Sequence, residues 1–104
     1  MKLVVGLGNP GKLYKNNRHN AGVMAVKSFC GSRKLVFEKK VKLKAYIAML
    51  QENTKKCLFA LPLTFMNLSG ECVYRLLEYY KIMPEDILVV YDDFSLPIGC
   101  IRIR

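Results

Sequence analysis

Four polar residues that follow apolar segments or open a helical one have the makings of a hydrolytic site: Asn9, His19, Asn67 and Asp92. A neutral imidazole takes a proton from water near neutral pH when a partner fixes its tautomer, and His19 is the only histidine in the chain. An aspartate such as Asp92 can accept the other ring N–H and stabilise the imidazolium that forms. Asparagine amides, as at Asn9 and Asn67, donate to a developing oxyanion without any change of charge. None of Ser28, Ser32, Ser69 or Ser95 stands in a nucleophile-elbow pattern. Direct attack of water on an ester therefore fits this set better than a covalent intermediate. Each residue also has a plainer reading. A lone histidine is commonly structural, Asn9 suits the Gly-Asn-Pro-Gly turn it occupies, and Asn67 could cap the helix behind it. Met66 could be plain core, and Asp93 a solvated loop acid.

These residues meet only if the fold brings distant segments together. Lys2–Leu7 is an apolar run ending at Gly8-Asn9-Pro10-Gly11 and reads as a strand. From about Asn20 to Cys30, Val23, Val26 and Cys30 lie at helical spacing, with Gly31 as the stop. Residues 41–50 read as a strand, because Val41, Leu43 and Ala45 alternate with Lys42 and Lys44. A polar turn over 51–56 leads to a strand at Cys57–Leu61 that Pro62 ends. A second helix is predicted from about Leu68 to Lys81, with Val73, Leu76, Leu77 and Tyr80 on one face. Pro84 then breaks the chain before Ile87–Tyr91, an apolar strand. Strands alternating with helices predict an α/β fold, a twisted and partly parallel sheet flanked by helices. In open parallel sheets ligands bind just beyond the carboxyl ends of the strands. If these strands are parallel, Asn9, Met66-Asn67 and Asp92-Asp93 gather at one edge, and His19 at the first helix's start can reach it.

The composition narrows the class. Of 104 residues, 52% are hydrophobic and 24% charged, which excludes disorder and predicts a packed core. No stretch approaches the roughly 20 apolar residues of a membrane span. The apolar run after Met1 is too short for a secretory signal, so a cytoplasmic location is expected. Residues 1–56 hold 13 Lys or Arg and 2 acids, whereas 57–104 hold 4 and 6. So basic a half suggests a polyanionic partner, nucleic acid foremost. Arg33, Lys34, Lys39, Lys40, Lys42 and Lys44 could contact phosphates or form a solvated strand face. Cys30, Cys57, Cys72 and Cys100 contain no C-x-x-C pair, which favours reduced, mostly buried thiols. One histidine and no ligand cluster give no support for a metal.

Gly6-Leu7-Gly8-Asn9-Pro10-Gly11 also matches the G-x-G-x-x-G dinucleotide fingerprint. That fingerprint wants an acid about 20 residues further on. The first acid is Glu38, 27 residues beyond Gly11, and Lys12–Asn17 lacks a small apolar helix face. The dinucleotide reading is set aside.

Longer motifs carry a resemblance. Gly6–Gly11, then Tyr14, then Arg18-His19-Asn20-Ala21-Gly22, resembles the first signature of bacterial-type peptidyl-tRNA hydrolases. Pro62-Leu63-Thr64-Phe65-Met66-Asn67-Leu68-Ser69-Gly70 resembles the second block, and Tyr91-Asp92-Asp93-Phe94-Ser95-Leu96-Pro97-Ile98-Gly99 the third. The blocks follow the family's order over nearly the whole chain. The resemblance implies hydrolysis of the ester that joins a peptide to the terminal ribose of tRNA, which recycles the tRNA. By position, it makes His19 the base that activates water and Asp92, rather than Asp93, its acid partner. Asn9 and Asn67 become the amides that hold the peptidyl carbonyl or its oxyanion. Tyr14 and Met66 would shape the pocket, and positions near Asn20 would support the loop. The implied partner is peptidyl-tRNA, with no cofactor, no metal and no membrane, and a monomer is expected.

The sequence also departs from the family. Ser95 stands where members commonly carry an acid. Members are about twice as long, and beyond the Arg-x-Arg strand they carry a glycine-rich loop with a His-Asn-Gly element, lid segments and further basic residues. Ile101-Arg102-Ile103-Arg104 alternates like a strand yet stops without a turn or cap. The expectation is therefore one α/β domain over residues 1–104, cut short at its C-terminus and weakly active or inactive alone. Two alternatives stand beside it. One is a non-catalytic RNA-binding relative of the same fold, like some organellar splicing factors, against which the retained His19 and Asp92 argue. The other is a nonfunctional product of a truncated reading frame.

Overall fold

The continuous apolar run near the N-terminus is what a strand covered on both faces requires. In a computed structural model, which describes residues 1–8, 21–63, 69–92 and 101–103, that run forms β1 (Lys2–Gly6) inside a six-stranded sheet. The other strands are β2 (Glu38–Lys40), β3 (Ala45–Glu52), β4 (Lys55–Pro62), β5 (Ile87–Asp92) and β6 (Ile101–Ile103). Two helices join them, α1 (Ala21–Ser32) and α2 (Ser69–Tyr80). The spatial order is β2-β3-β4-β1-β5-β6. β1 runs parallel to both neighbours, with Leu3 level with Leu58 and Ile87, and Val5 level with Ala60 and Val89. The outer strands β3, β2 and β6 pair antiparallel. The predicted mixed α/β sheet flanked by helices is the fold observed.

Alternation along the strands divides the core in two. Leu3, Val5, Leu58, Ala60, Ala45 and Ile47 face α2, where Cys72 and Leu76 are fully buried against them. The intervening residues Phe59, Leu61 and Ala48 join Val26 and Cys30 of α1 on the opposite face, with Val90. The helix face predicted for α2 is the one that packs, with Val73, Leu77 and Tyr80 partly buried beside Leu76. Burying Leu3, Leu58 and Leu76 contributes about 1.5–3 kcal/mol each relative to leaving them in water.

Some local expectations are corrected. Val41–Leu43 is a turn of 3₁₀ helix rather than the start of a strand. The alternation misled because Leu43 is buried whereas Val41 is 71% exposed. Lys44 follows with φ 55° and ψ 41°, a left-handed conformation that reverses the chain, and its N–H donates to Val41 O at 3.0 Å. β2, all charged or polar, carried no apolar signal. The turn expected over 51–56 shrinks to Asn53-Thr54, with Asn53 at φ 56°. Gly31 lies inside α1, and the helix ends instead in a Schellman motif. There Lys34 (φ 58°) donates to Gly31 O and Leu35 donates to Cys30 O. α2 ends similarly, with Lys81 at φ 55° and Ile82 donating to Leu77 O. No helix among the described residues is long and apolar enough to cross a membrane.

Candidate active site

Parallel pairing fixes which edge of the sheet collects the motifs. β1, β4 and β5 run the same way, so Gly6, Pro62 and Asp92, their last residues, lie at one edge. Continuing the register brings Leu63 and Asp92 level with Gly8 on either side of it. Adjacent strands lie about 4.8 Å apart, so the three chain ends span about 10 Å. The Leu7 N–H donates to Val90 O at 2.9 Å, which carries the β1–β5 pairing past the end of β1. Asn9 follows Gly8 directly, and the 64–68 segment follows Leu63. Asn9, Tyr14, His19, Asn20, Met66, Asn67, Asp93 and Ser95 lie outside the described residues, and Asp92 is described through its backbone.

The first turn of α1 closes on the same edge. Gly22 is buried, and a Cβ there would lie 2.8 Å from Leu7 O and from Val90 C, and closer still to Val90 O. Gly6 is its counterpart on the sheet, where a Cβ would lie 2.8 Å from Gly22 O and from Val26 Cγ2. Two glycines thus let helix backbone rest on strand backbone at the carboxyl ends of β1 and β5. Ala21, two residues after His19, is held at this edge by that contact. Gly6 and Gly22 both stand inside the motif blocks, which do not themselves mark either as a helix–strand packing position. The available signal was a glycine within the helical pattern, a mark of close packing.

A basic turn borders the edge on the β3 side. The Leu63 N–H donates to Lys44 O at 2.8 Å. Lys44 Nζ and Arg75 each bind Glu71 Oε1 of α2, at 3.0 and 3.1 Å, and Arg75 also reaches Lys42 O at 3.4 Å. Hydrogen bonds from Lys44 and then Arg75 hold the Glu71 carboxyl below its ordinary range. Cys30 and Cys72 are buried free thiols and Cys57 is half-buried, as the spacing predicted. Burial raises all three, and pushes Cys72 up to about 11.

This architecture can be set against known proteins. A sequence model of the peptidyl-tRNA hydrolase family matches residues 3–104. The chain belongs to the peptidyl-tRNA hydrolase family. Peptidyl-tRNA hydrolases of Listeria welshimeri and Listeria innocua are each 46% identical to it over 104 residues. That alignment takes in all of this chain and 56% of each relative. The crystal structure of the Acinetobacter baumannii peptidyl-tRNA hydrolase superposes with a TM-score of 0.90 at 33% identity, over 100% of this chain and 53% of that one. The chain thus spans about half the length of these family members and corresponds to their N-terminal portion.

Proposed function

We propose that this chain carries the water-activating half of a peptidyl-tRNA hydrolase, which releases peptide and frees tRNA by hydrolysing the ester between them. The observation that carries the reading is the convergence of three parallel strand ends and the start of α1 on one edge. His19 acts as base on water, and Asp92 orients its ring and stabilises the imidazolium. Covalent geometry supports this pairing. Consecutive Cα atoms are 3.8 Å apart, so His19 is tethered within about 8 Å of Ala21. Gly22 rests against Val90 O, and Asp92 lies two residues beyond Val90. Asn9 and Asn67 supply amide donors for the oxyanion, the one following Gly8 and the other two residues before α2. Tyr14 and Met66 shape the pocket around the end of the substrate. No cofactor or metal enters the reaction, and the protein works as a cytoplasmic monomer. Residues 1–104 form one α/β unit, and its span of about half the relatives' length supports weak or no turnover by these residues alone.

A cleavage assay on N-blocked aminoacyl-tRNA, run beside an RNA-binding measurement, tests the reading in a protein that carries this segment at the relatives' full length. Ester cleavage is expected. Binding without cleavage would favour a non-catalytic RNA-binding role instead.

A further inference from the structure

The basic residues of the first half are not equivalent once the topology is known. β3 is antiparallel to β4, so the Val41–Lys44 turn lies at the carboxyl edge of β4, the edge of the candidate site. The Asn53-Thr54 turn, with Lys55 and Lys56 behind it, lies at the opposite edge. The Val41–Lys44 turn is held firmly. Lys44 O accepts from Leu63, Lys44 Nζ binds Glu71, and Arg75 spans Glu71 and Lys42 O. Lys44 accepts a left-handed conformation to make these bonds. Lys44 is held in a three-charge network with Glu71 and Arg75; among the described residues, the other ammonium groups at this corner are those of Lys40 and Lys42, both on exposed residues. Lys40 is 3.1 Å from Glu38, but an isolated exposed pair, unlike a network of several charges, is weak and yields readily to a competing anion.

We infer that Lys40 and Lys42, presented on this pinned turn, hold backbone phosphates of the RNA whose 3′ end enters the candidate site. The inference rests on the peptidyl-tRNA reading of that site. The spacing suits the task. The turn lies two to three strands from β1 and three to four from β5, about 10–19 Å, the reach of a few nucleotides of extended single strand. Lysine binds phosphate as a point charge and needs no planar fork, so this contact positions RNA without reading its sequence.

The test measures binding of the 104-residue chain to a deacylated RNA hairpin with a single-stranded 3′ end, as a function of salt. The Lys40→Gln, Lys42→Gln double variant is compared with Lys55→Gln, Lys56→Gln, which removes the same charge from the opposite edge. Each lost phosphate contact lowers the slope of log K against log salt by about 0.7–0.9. Between 50 and 200 mM salt, the first variant should therefore lose about 7- to 12-fold less affinity than the parent. The second variant should keep the parent's slope. Equal slope changes in both variants, no change in the first, or no RNA binding by the parent at low salt would each overturn the inference. Because the ligand is deacylated, these outcomes are independent of ester cleavage. A slope change without cleavage in the longer protein would leave this contact standing and remove the hydrolase reading.

Discussion

Replacing Gly22 with alanine perturbs the joint on which the site depends. The new methyl would lie 2.8 Å from Leu7 O and Val90 C, and backbone rather than a flexible side chain stands in its way. Relieving the 2.8 Å contacts to about 3.5 Å moves α1 outward by about 0.7 Å, and the still closer approach to Val90 O demands more. A gap of that size forfeits a quarter to a half of the dispersion attraction between facing atoms. Val26 and Cys30, the buried residues of α1, follow the helix outward. Their burial is worth about 1.5–3 kcal/mol each, so the loosened packing costs about 1–2 kcal/mol. Residual overpacking adds a similar amount, and the better helix propensity of alanine returns about 1 kcal/mol. The net loss is about 1–3 kcal/mol, or a fall in Tm of roughly 10 °C for a domain of this size. Thermal unfolding followed by circular dichroism measures it. Gly31→Ala and Gly70→Ala are the controls, since a Cβ at either meets nothing within 4 Å. Both should be neutral or more stable by about 0.5–1 kcal/mol. A Gly22→Ala protein as stable as the Gly31→Ala one would refute the claim that backbone contact at Gly22 sets the position of α1.

Two other outcomes follow from the same structure. Lys34→Gly and Lys81→Gly relieve left-handed backbone at the ends of the helices, and each should stabilise by about 0.5–1 kcal/mol in urea denaturation; destabilisation would contradict the Schellman assignment. Among Cys30, Cys57 and Cys72, a thiol reagent at pH 8 should label Cys57 first and leave Cys72 protected, as read by peptide mapping. The folded state holds the Cys72 proton more tightly than the unfolded chain does. That contribution is therefore intact below the ordinary thiol range and is lost as pH rises through it towards about 11. Cys72 labelled as fast as Cys57 would contradict its burial.

What the sequence made legible follows from how each element is stabilised. β1, β4 and β5 are covered on both faces, so each reads as an unbroken apolar run. α2 displays its buried face at Val73, Leu76, Leu77 and Tyr80, which lie at helical spacing. β2 has no apolar residue and exists only as a partner of β3, so no pattern could mark it. The turn at Val41–Leu43 imitates a strand because its decisive feature, the left-handed backbone of Lys44, goes with long-range contacts to Leu63 and Glu71 that no local pattern shows. Residue types and motifs named His19, Asn9, Asn67 and Asp92. The shared edge of the strands that lead into Asn9, Asn67 and Asp92 needed the parallel pairing of β1 with β4 and β5, which periodicity alone does not specify. The contact of Gly22 with Val90 is likewise long-range. The motif contained that glycine without revealing what it touches.

In the function proposed above, the edge formed by β1, β4, β5 and the start of α1 activates water through His19. Single-turnover cleavage of peptidyl-tRNA tests it most directly, comparing the parent with His19→Ala in a protein of the relatives' length, with RNA affinity measured alongside. Cleavage is expected to collapse by at least about 10²-fold, the usual contribution of a general base, while RNA affinity stays within about twofold, less than about 0.5 kcal/mol. Near-parental cleavage by the His19→Ala protein would contradict it.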